Sequence, residues 1–296
     1  MNWDRILYPL DVLGCNLFGR RFIGAESVDG VLKAGERRIG RGFRVTYNLL
    51  GEHVQDEDSV KLAVRTTLNL IAKMIPKNRG NVSCKPTLYG LCISKNLFRD
   101  SLSEIVWAAR RQRIEIEIDA ESYEYIPDTF EVFSYFAQDP ILGNSVRQAV
   151  QAHLVNIESL MDRYCLWDKK IRIVKGSGVY DEKDSVITTD KSIVLSRYLK
   201  ILKRNLQNEG RPYVATVRDK KLANEAIAIA NSMGVSIVLQ TLHGPLGWLF
   251  QKNYQGSGQV VSDYMPFTDN WCKNVWKPYG LRRAKMFRHI LWETMT

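Results

Sequence analysis

The feature that most restricts the fold of this chain is a recurring alternation. Short β-branched or aliphatic runs of strand length are each closed by polar or glycine residues, and several lead into a segment of helical period. Strands are expected at residues 43–50, 81–85, 114–118, 146–154, 171–174, 213–217, 235–239 and 260–264, the last stopped by Pro266. Helices are expected at 58–73, 127–137, 158–164 and 222–233. Residues 1–42 read as a polar lead-in broken by Gly30, Gly35 and Gly40, with a short helix at 28–33 capped by Ser27. Residues 43–296 read as one α/β domain. Eight strands alternating with helices in this length predict a closed parallel (β/α)8 barrel of the TIM type rather than an open sheet.

Such a barrel gathers its strand ends at one mouth, where chemistry is placed. The residues expected there are polar: Lys85, Asp119, Glu121, Gln151, Lys175, Gln240 and Tyr264. A hydrophobic share of 45% and a charged share of 25% suit a full globular core. The net charge of +10 favours anionic partners, but Lys and Arg are spread along the chain, so no nucleic-acid partner is expected. Five dispersed cysteines form no metal-binding or disulfide spacing, which predicts a reducing cytoplasm and no metal. No apolar run approaches the ~20 residues of a membrane span, so the expectation is a soluble or at most peripheral protein. Neither a GxGxxG turn nor a P-loop is present; the turn Lys175-Gly176-Ser177-Gly178 offers backbone N–H groups to a phosphate, or is simply a flexible loop.

Near the end stands Tyr279-Gly280-Leu281-Arg282-Arg283. On a helix, Tyr279, Arg282 and Arg283 share one face, pairing an aromatic wall with two guanidinium forks suited to a carboxylate.

Read in order, the strand ends resemble the flavin-dependent proline dehydrogenases. The pieces are Asn48-Leu49-Leu50-Gly51-Glu52, Val82-Ser83-Cys84-Lys85, Ile118-Asp119-Ala120-Glu121, Val150-Gln151-Ala152 and Ile171-Arg172-Ile173-Val174-Lys175-Gly176. They continue with Ala215-Thr216, Leu239-Gln240-Thr241-Leu242-His243-Gly244, Tyr264-Met265-Pro266 and the Tyr279–Arg283 stretch. The resemblance implies a distorted barrel that holds FAD, with a C-terminal helix over its mouth. It also implies that Lys85, Arg282 and Arg283 hold a substrate carboxylate, that Tyr264 and Tyr279 line the pocket, and that Asp119 lies at its floor. Gln151, Arg172, Lys175, Gly176 and Gln240 are implied around the flavin ring, with Thr189, Lys191 and Thr216 toward the rest of the cofactor. The implied reaction removes a hydride from the carbon beside the amine of proline or a related cyclic amino acid. A quinone is implied as electron acceptor, and the apolar residues of 285–292 either pack on the barrel or offer a peripheral contact with the inner face of a membrane.

The sequence departs from the family pattern in four places. Ser177-Gly178-Val179 stands where an aromatic pair is usual, and Val217-Arg218 replaces His-Asn. Met286 replaces a glutamate, and the aromatics Trp248, Phe250, Tyr254, Phe267, Trp271 and Trp276 occupy extra chain before the arginine pair. These aromatics either reshape the pocket cover or pack on the barrel exterior. The departures leave open a substituted proline or a larger secondary amino acid as substrate. They also leave open a rival reading, a flavin-free barrel that binds or senses an amino acid.

Overall fold

A computed structural model describes residues 19–176, 182–216, 219–275 and 281. Eight parallel strands close into a barrel in sequence order: β1 (Arg44–Leu49), β2 (Asn81–Cys84), β3 (Ile116–Ile118), β4 (Val146–Gln151), β5 (Ile171–Val174), β6 (Tyr213–Ala215), β7 (Val238–Leu242) and β8 (Val260–Phe267). The ring is uneven. β8 pairs with β1 over six rungs, from Arg44↔Ser262 to Leu49↔Phe267, whereas β5 and β6 share three. Closure leaves no sheet edge, so every strand has a hydrogen-bonded neighbour on both sides.

The helices sheathe the barrel: α1 (Val28–Ile39), α2 (Glu57–Ala72), α3 (Lys95–Arg111), α4 (Ile126–Ala137), α5 (Ile157–Arg163), α6 (Lys191–Gln207), α7 (Lys220–Ser232) and α8 (Pro245–Gln255). Side-chain caps set several starts. Ser27 accepts from the N–H of Gly30, Ser94 from that of Leu97, and Asp190 from those of Ser192 and Ile193. α3, α6 and α8 are absent from the sequence expectation, although α3 and α6 carry these cap signals.

Three local expectations are corrected. α1 runs to Ile39 rather than 33, because Gly35 serves as the contact point: a Cβ there would sit 1.8 Å from the Tyr47 hydroxyl on β1. The helix therefore lies close on β1 and β8, covering the outer face of the seam that closes the barrel. β8 passes through Pro266 to Phe267. β7 ends at Leu242, opposite Tyr264, so the missing N–H of Pro266 falls beyond the last β7 rung, where its carbonyl accepts from Gly24 N at 2.7 Å. β7 begins three residues later than expected, so Gln240 lies within the strand and not at its end.

The apolar core fills the space between strands and helices, with Phe98, Phe130, Phe133, Phe136 and Tyr198 fully buried. The barrel interior is different: Thr46, Ser83, Glu117, Gln148, Arg172, Gln240, Ser262 and Tyr264 alternate inward along their strands and are buried. Of the expected aromatic cover, Phe250 and Tyr254 are buried on α8 against β7 and β8, and Trp271 donates to Thr66 on α2 at 2.9 Å. Those three pack on the exterior. Trp276 lies outside the described residues.

Candidate active site

The inward side chains of β3, β5, β7 and β8 meet around one guanidinium. Arg172 on β5 pairs with Asp119, just past β3, and lies 3.2 Å from Glu117 Oε1. It donates to Gln240 Oε1 at 3.1 Å, and Gln240 Nε2 donates in turn to Glu117 Oε2 and Thr46 Oγ1, both at 3.1 Å. The Tyr264 hydroxyl donates to Asp119 Oδ2 at 3.1 Å and lies 2.9 Å from Ser83 Oγ. With its proton given to Asp119, that hydroxyl accepts from Ser83. The Arg172 guanidinium also stands 5.1 Å from the centre of the Tyr264 ring.

Burial works against the charge of Arg172, but Asp119 and Glu117 overcome it and hold its pKa above the ordinary arginine value. Burial raises the Glu117 carboxyl, although Arg172 pulls the other way. Burial, with Asp119 beside it, raises Tyr264 well above a free phenol, so it stays a protonated donor. The centre thus holds one cation against two carboxylates.

Lys85, directly after β2, stands at the rim. Its ammonium lies 3.1 Å from Glu52 Oε2 and 4.0 Å from Glu121 Oε1. Glu121 is fixed from behind by the N–H and hydroxyl of Thr87, both at 2.8 Å, and burial raises its pKa. Across the mouth, Lys175 reaches Asp219 at 3.4 Å, the residue that caps α7.

A third feature is a set of buried polar atoms on three consecutive strands, two at the strand ends and one, on Arg172, two residues deeper in the barrel. Gln151 Oε1 on β4, Arg172 Nε on β5 and Thr216 Oγ1 after β6 have no hydrogen-bond partner among the described residues. Each unmade bond of this kind costs about 1–3 kcal/mol. This donor and acceptor set, beside the tightly turned Gly176 (φ +101°), suits the polar edge of a planar heteroaromatic cofactor such as the expected FAD.

The structure brings together Lys85, Asp119, Gln151, Arg172, Lys175, Gly176, Thr216, Gln240 and Tyr264 at or below one mouth. Thr189 and Lys191 do not join the hydrogen-bonded network among the described residues. Both are exposed, and Lys191 is the first residue of α6 rather than part of a loop. Tyr279, Arg282 and Arg283 lie outside the described residues, as do Ser177, Gly178, Val179, Val217, Arg218, Met286 and residues 285–292. Leu281, in the middle of the expected carboxylate clamp, packs on Phe22, Ile23 and Leu50 at the mouth end of β1. Glu117 and Ser83 were not expected in the site. The alternation Ile116-Glu117-Ile118-Asp119 carried the signal for Glu117, since residues two apart on a strand share a face.

No helix among the described residues is long and apolar enough to cross a membrane. No cluster of three or more metal-ligating side chains occurs among them either.

Comparison with known proteins agrees with the barrel fold. The chain is 24% identical over 262 residues to "Proline dehydrogenase 2" of Bacillus subtilis (strain 168), covering 87% of this chain and 84% of that protein. It is 23% identical over 261 residues to "Proline dehydrogenase 1" of the same organism, with 87% and 84% covered. Among solved structures, proline utilization A (PutA) from Bdellovibrio bacteriovorus, inactivated by N-propargylglycine, superposes with a TM-score of 0.77 at 19% identity. A Bradyrhizobium japonicum PutA mutant does so with 0.72 at 18%. These matches cover 90% and 91% of this chain but only 32% and 30% of the PutA chains, and they show the shared fold. The model of the family described as proline dehydrogenase matches residues 31–285, most of the chain and the whole barrel, and the chain belongs to that family.

Proposed function

We propose that this protein is an FAD-dependent dehydrogenase of L-proline or a closely related cyclic secondary amino acid, oxidising it to the imine. The observation that carries the reading is the set of polar atoms on Gln151, Arg172 and Thr216 that have no partner among the described residues, beside the charged centre of Asp119, Arg172 and Tyr264. FAD, when bound, supplies the acceptor for the hydride that leaves the carbon beside nitrogen. The chain's own residues position the reactants. Gln151, Arg172, Lys175, Gly176, Thr216 and Gln240 would hold the cofactor, with Thr189 and Lys191 toward its distal part.

Lys85, together with Arg282 and Arg283, would anchor the substrate carboxylate, and Tyr264 and Tyr279 would flank its ring. Asp119 holds the Tyr264 hydroxyl and the Arg172 guanidinium in one arrangement, so the pocket floor is set before substrate arrives. Such pre-orientation can remove several kcal/mol from a barrier. The positive charge of Arg172, fixed above its ordinary pKa, favours negative charge developing nearby. A quinone as onward acceptor, reached from the inner face of a membrane, completes the proposal.

The test is a visible spectrum of the purified protein followed by anaerobic titration with L-proline, pipecolate and hydroxyproline. A flavin spectrum bleached by one of these is expected. A colourless protein that also fails to quench the fluorescence of added FAD would refute the reading and favour the amino-acid-binding barrel.

A further inference from the structure

His153 lies two residues beyond the end of β4 and is 6% exposed. All its bonding groups with a partner among the described residues reach the chain between β5 and α6. Its N–H donates to Lys175 O at 2.9 Å, and its carbonyl accepts from Thr188 N at 2.8 Å. Its Nε2 stands 3.1 Å from Glu182 Oε2, whose side chain is 4% exposed. The other Glu182 oxygen accepts from Tyr123 N at 2.7 Å, so the same carboxylate ties in the segment after β3.

The neighbouring contacts repeat this direction. Leu154 bridges Ile187, and Val155 N donates to Val186 O at 2.9 Å. The imidazole also lies against Gly176, where an added Cβ would meet His153 Nδ1 at 1.8 Å. With Glu182 as acceptor, Nε2 carries a proton, and Nδ1 is buried and without a partner among the described residues.

One residue therefore pins both ends of the segment that begins at Lys175-Gly176 and returns at 182–188. We infer that His153 is a positioning residue for the cofactor. Through Lys175, Glu182 and Thr188, it holds in a single place on the barrel mouth the chain that carries Lys175, Gly176 and Thr189. The inference rests on the flavin reading proposed above. It assigns His153 no contact with the reacting atoms. A carboxylate whose side chain is 4% exposed depends on its hydrogen-bond donors, and among the described residues these are the imidazole of His153 and the N–H of Tyr123.

The experiment compares wild type, His153→Ala and His153→Gln, the last keeping an N–H donor within reach of Glu182. Amide hydrogen exchange of segments 153–155 and 182–190 is measured on flavin-free protein, with β1–β3 amides as the internal control. FAD affinity is measured by quenching of flavin fluorescence. Expected for His153→Ala is faster exchange confined to those two segments and FAD binding about 10- to 100-fold weaker, the change that loss of a hydrogen bond to a charged group gives. His153→Gln should recover most of both.

Unchanged exchange, unchanged FAD affinity, or faster exchange spread equally over β1–β3 without rescue by Gln would each overturn the positioning role. Wild-type protein that fails to bind FAD would overturn the flavin reading, and the positioning role with it. That failure appears in the wild type and not in the variants, so the two are distinguishable.

Discussion

Replacing Arg172 with Met removes the one cation that Glu117 and Asp119 share inside the barrel. Glu117 is fully buried, and among the described residues its carboxylate would keep the Gln240 amide as its hydrogen-bond donor, with Arg147 as the remaining cation acting on it. Breaking a buried ion pair by removing one partner typically costs about 3–5 kcal/mol, because the remaining charge is stranded. The loss has a ceiling set by proton uptake, since Glu117 can protonate instead. Against an unfolded carboxyl near pKa ~4.3, that ceiling is about 5 kcal/mol at pH 8 and about 1.6 kcal/mol at pH 5.5.

The sign follows from linkage. The Glu117 carboxyl is already raised by burial, and losing Arg172 raises it further. A raised carboxyl favours the folded state below its unfolded pKa, and that advantage is lost as pH rises through the folded value. The Arg172→Met deficit should therefore be largest at pH 8 and narrow steadily toward pH 5.5. Urea denaturation of flavin-free wild type and variant across this range measures it, and the double variant Arg172→Met/Glu117→Gln should regain much of the loss at pH 8. A deficit below ~1 kcal/mol at pH 8, or one that does not change with pH, would refute the account of the barrel centre.

Three further outcomes follow from single contacts. Tyr264→Phe removes the hydroxyl between Ser83 and Asp119 and should lower kcat/KM for the preferred amino acid about 10-fold, with little change in Tm, in steady-state assays. Gly176→Ala meets both a φ of +101° and the His153 ring, and should weaken FAD binding in a fluorescence titration more than it lowers the Tm of the flavin-free barrel. Gly35→Ala should destabilise by about 1–3 kcal/mol through its clash with the Tyr47 hydroxyl. Tyr47→Phe in the same chain should restore part of that stability in urea denaturation, despite losing the 2.7 Å bond to Asn78 O.

Much of the fold was legible in the sequence because strand length, β-branching and alternation are local properties. The eight strands fall where those runs occur, and β5 matches residue for residue at Ile171–Val174. Ends were less legible. Pro266 reads as a stop in isolation, yet it is tolerated because the neighbouring strand has already finished. Gly35 reads as a breaker in isolation, yet the helix needs it to approach Tyr47.

The site divides along the same line. Lys85, Asp119, Gln151 and Lys175 follow from strand ends, which a parallel barrel must bring to one mouth. That Gln240 serves as the amide linking Arg172 to Glu117 depends on contacts across 68 and 123 residues of chain. The role of His153 as the anchor of the segment after β5 likewise depends on partners 29 and 59 residues apart in their pairings. The sequence by itself determined which residue types stand at the strand ends, since each strand is specified by its own side chains. Only the tertiary structure decided which of them share protons and charge, because barrel closure and register, not local propensity, set who faces whom inside.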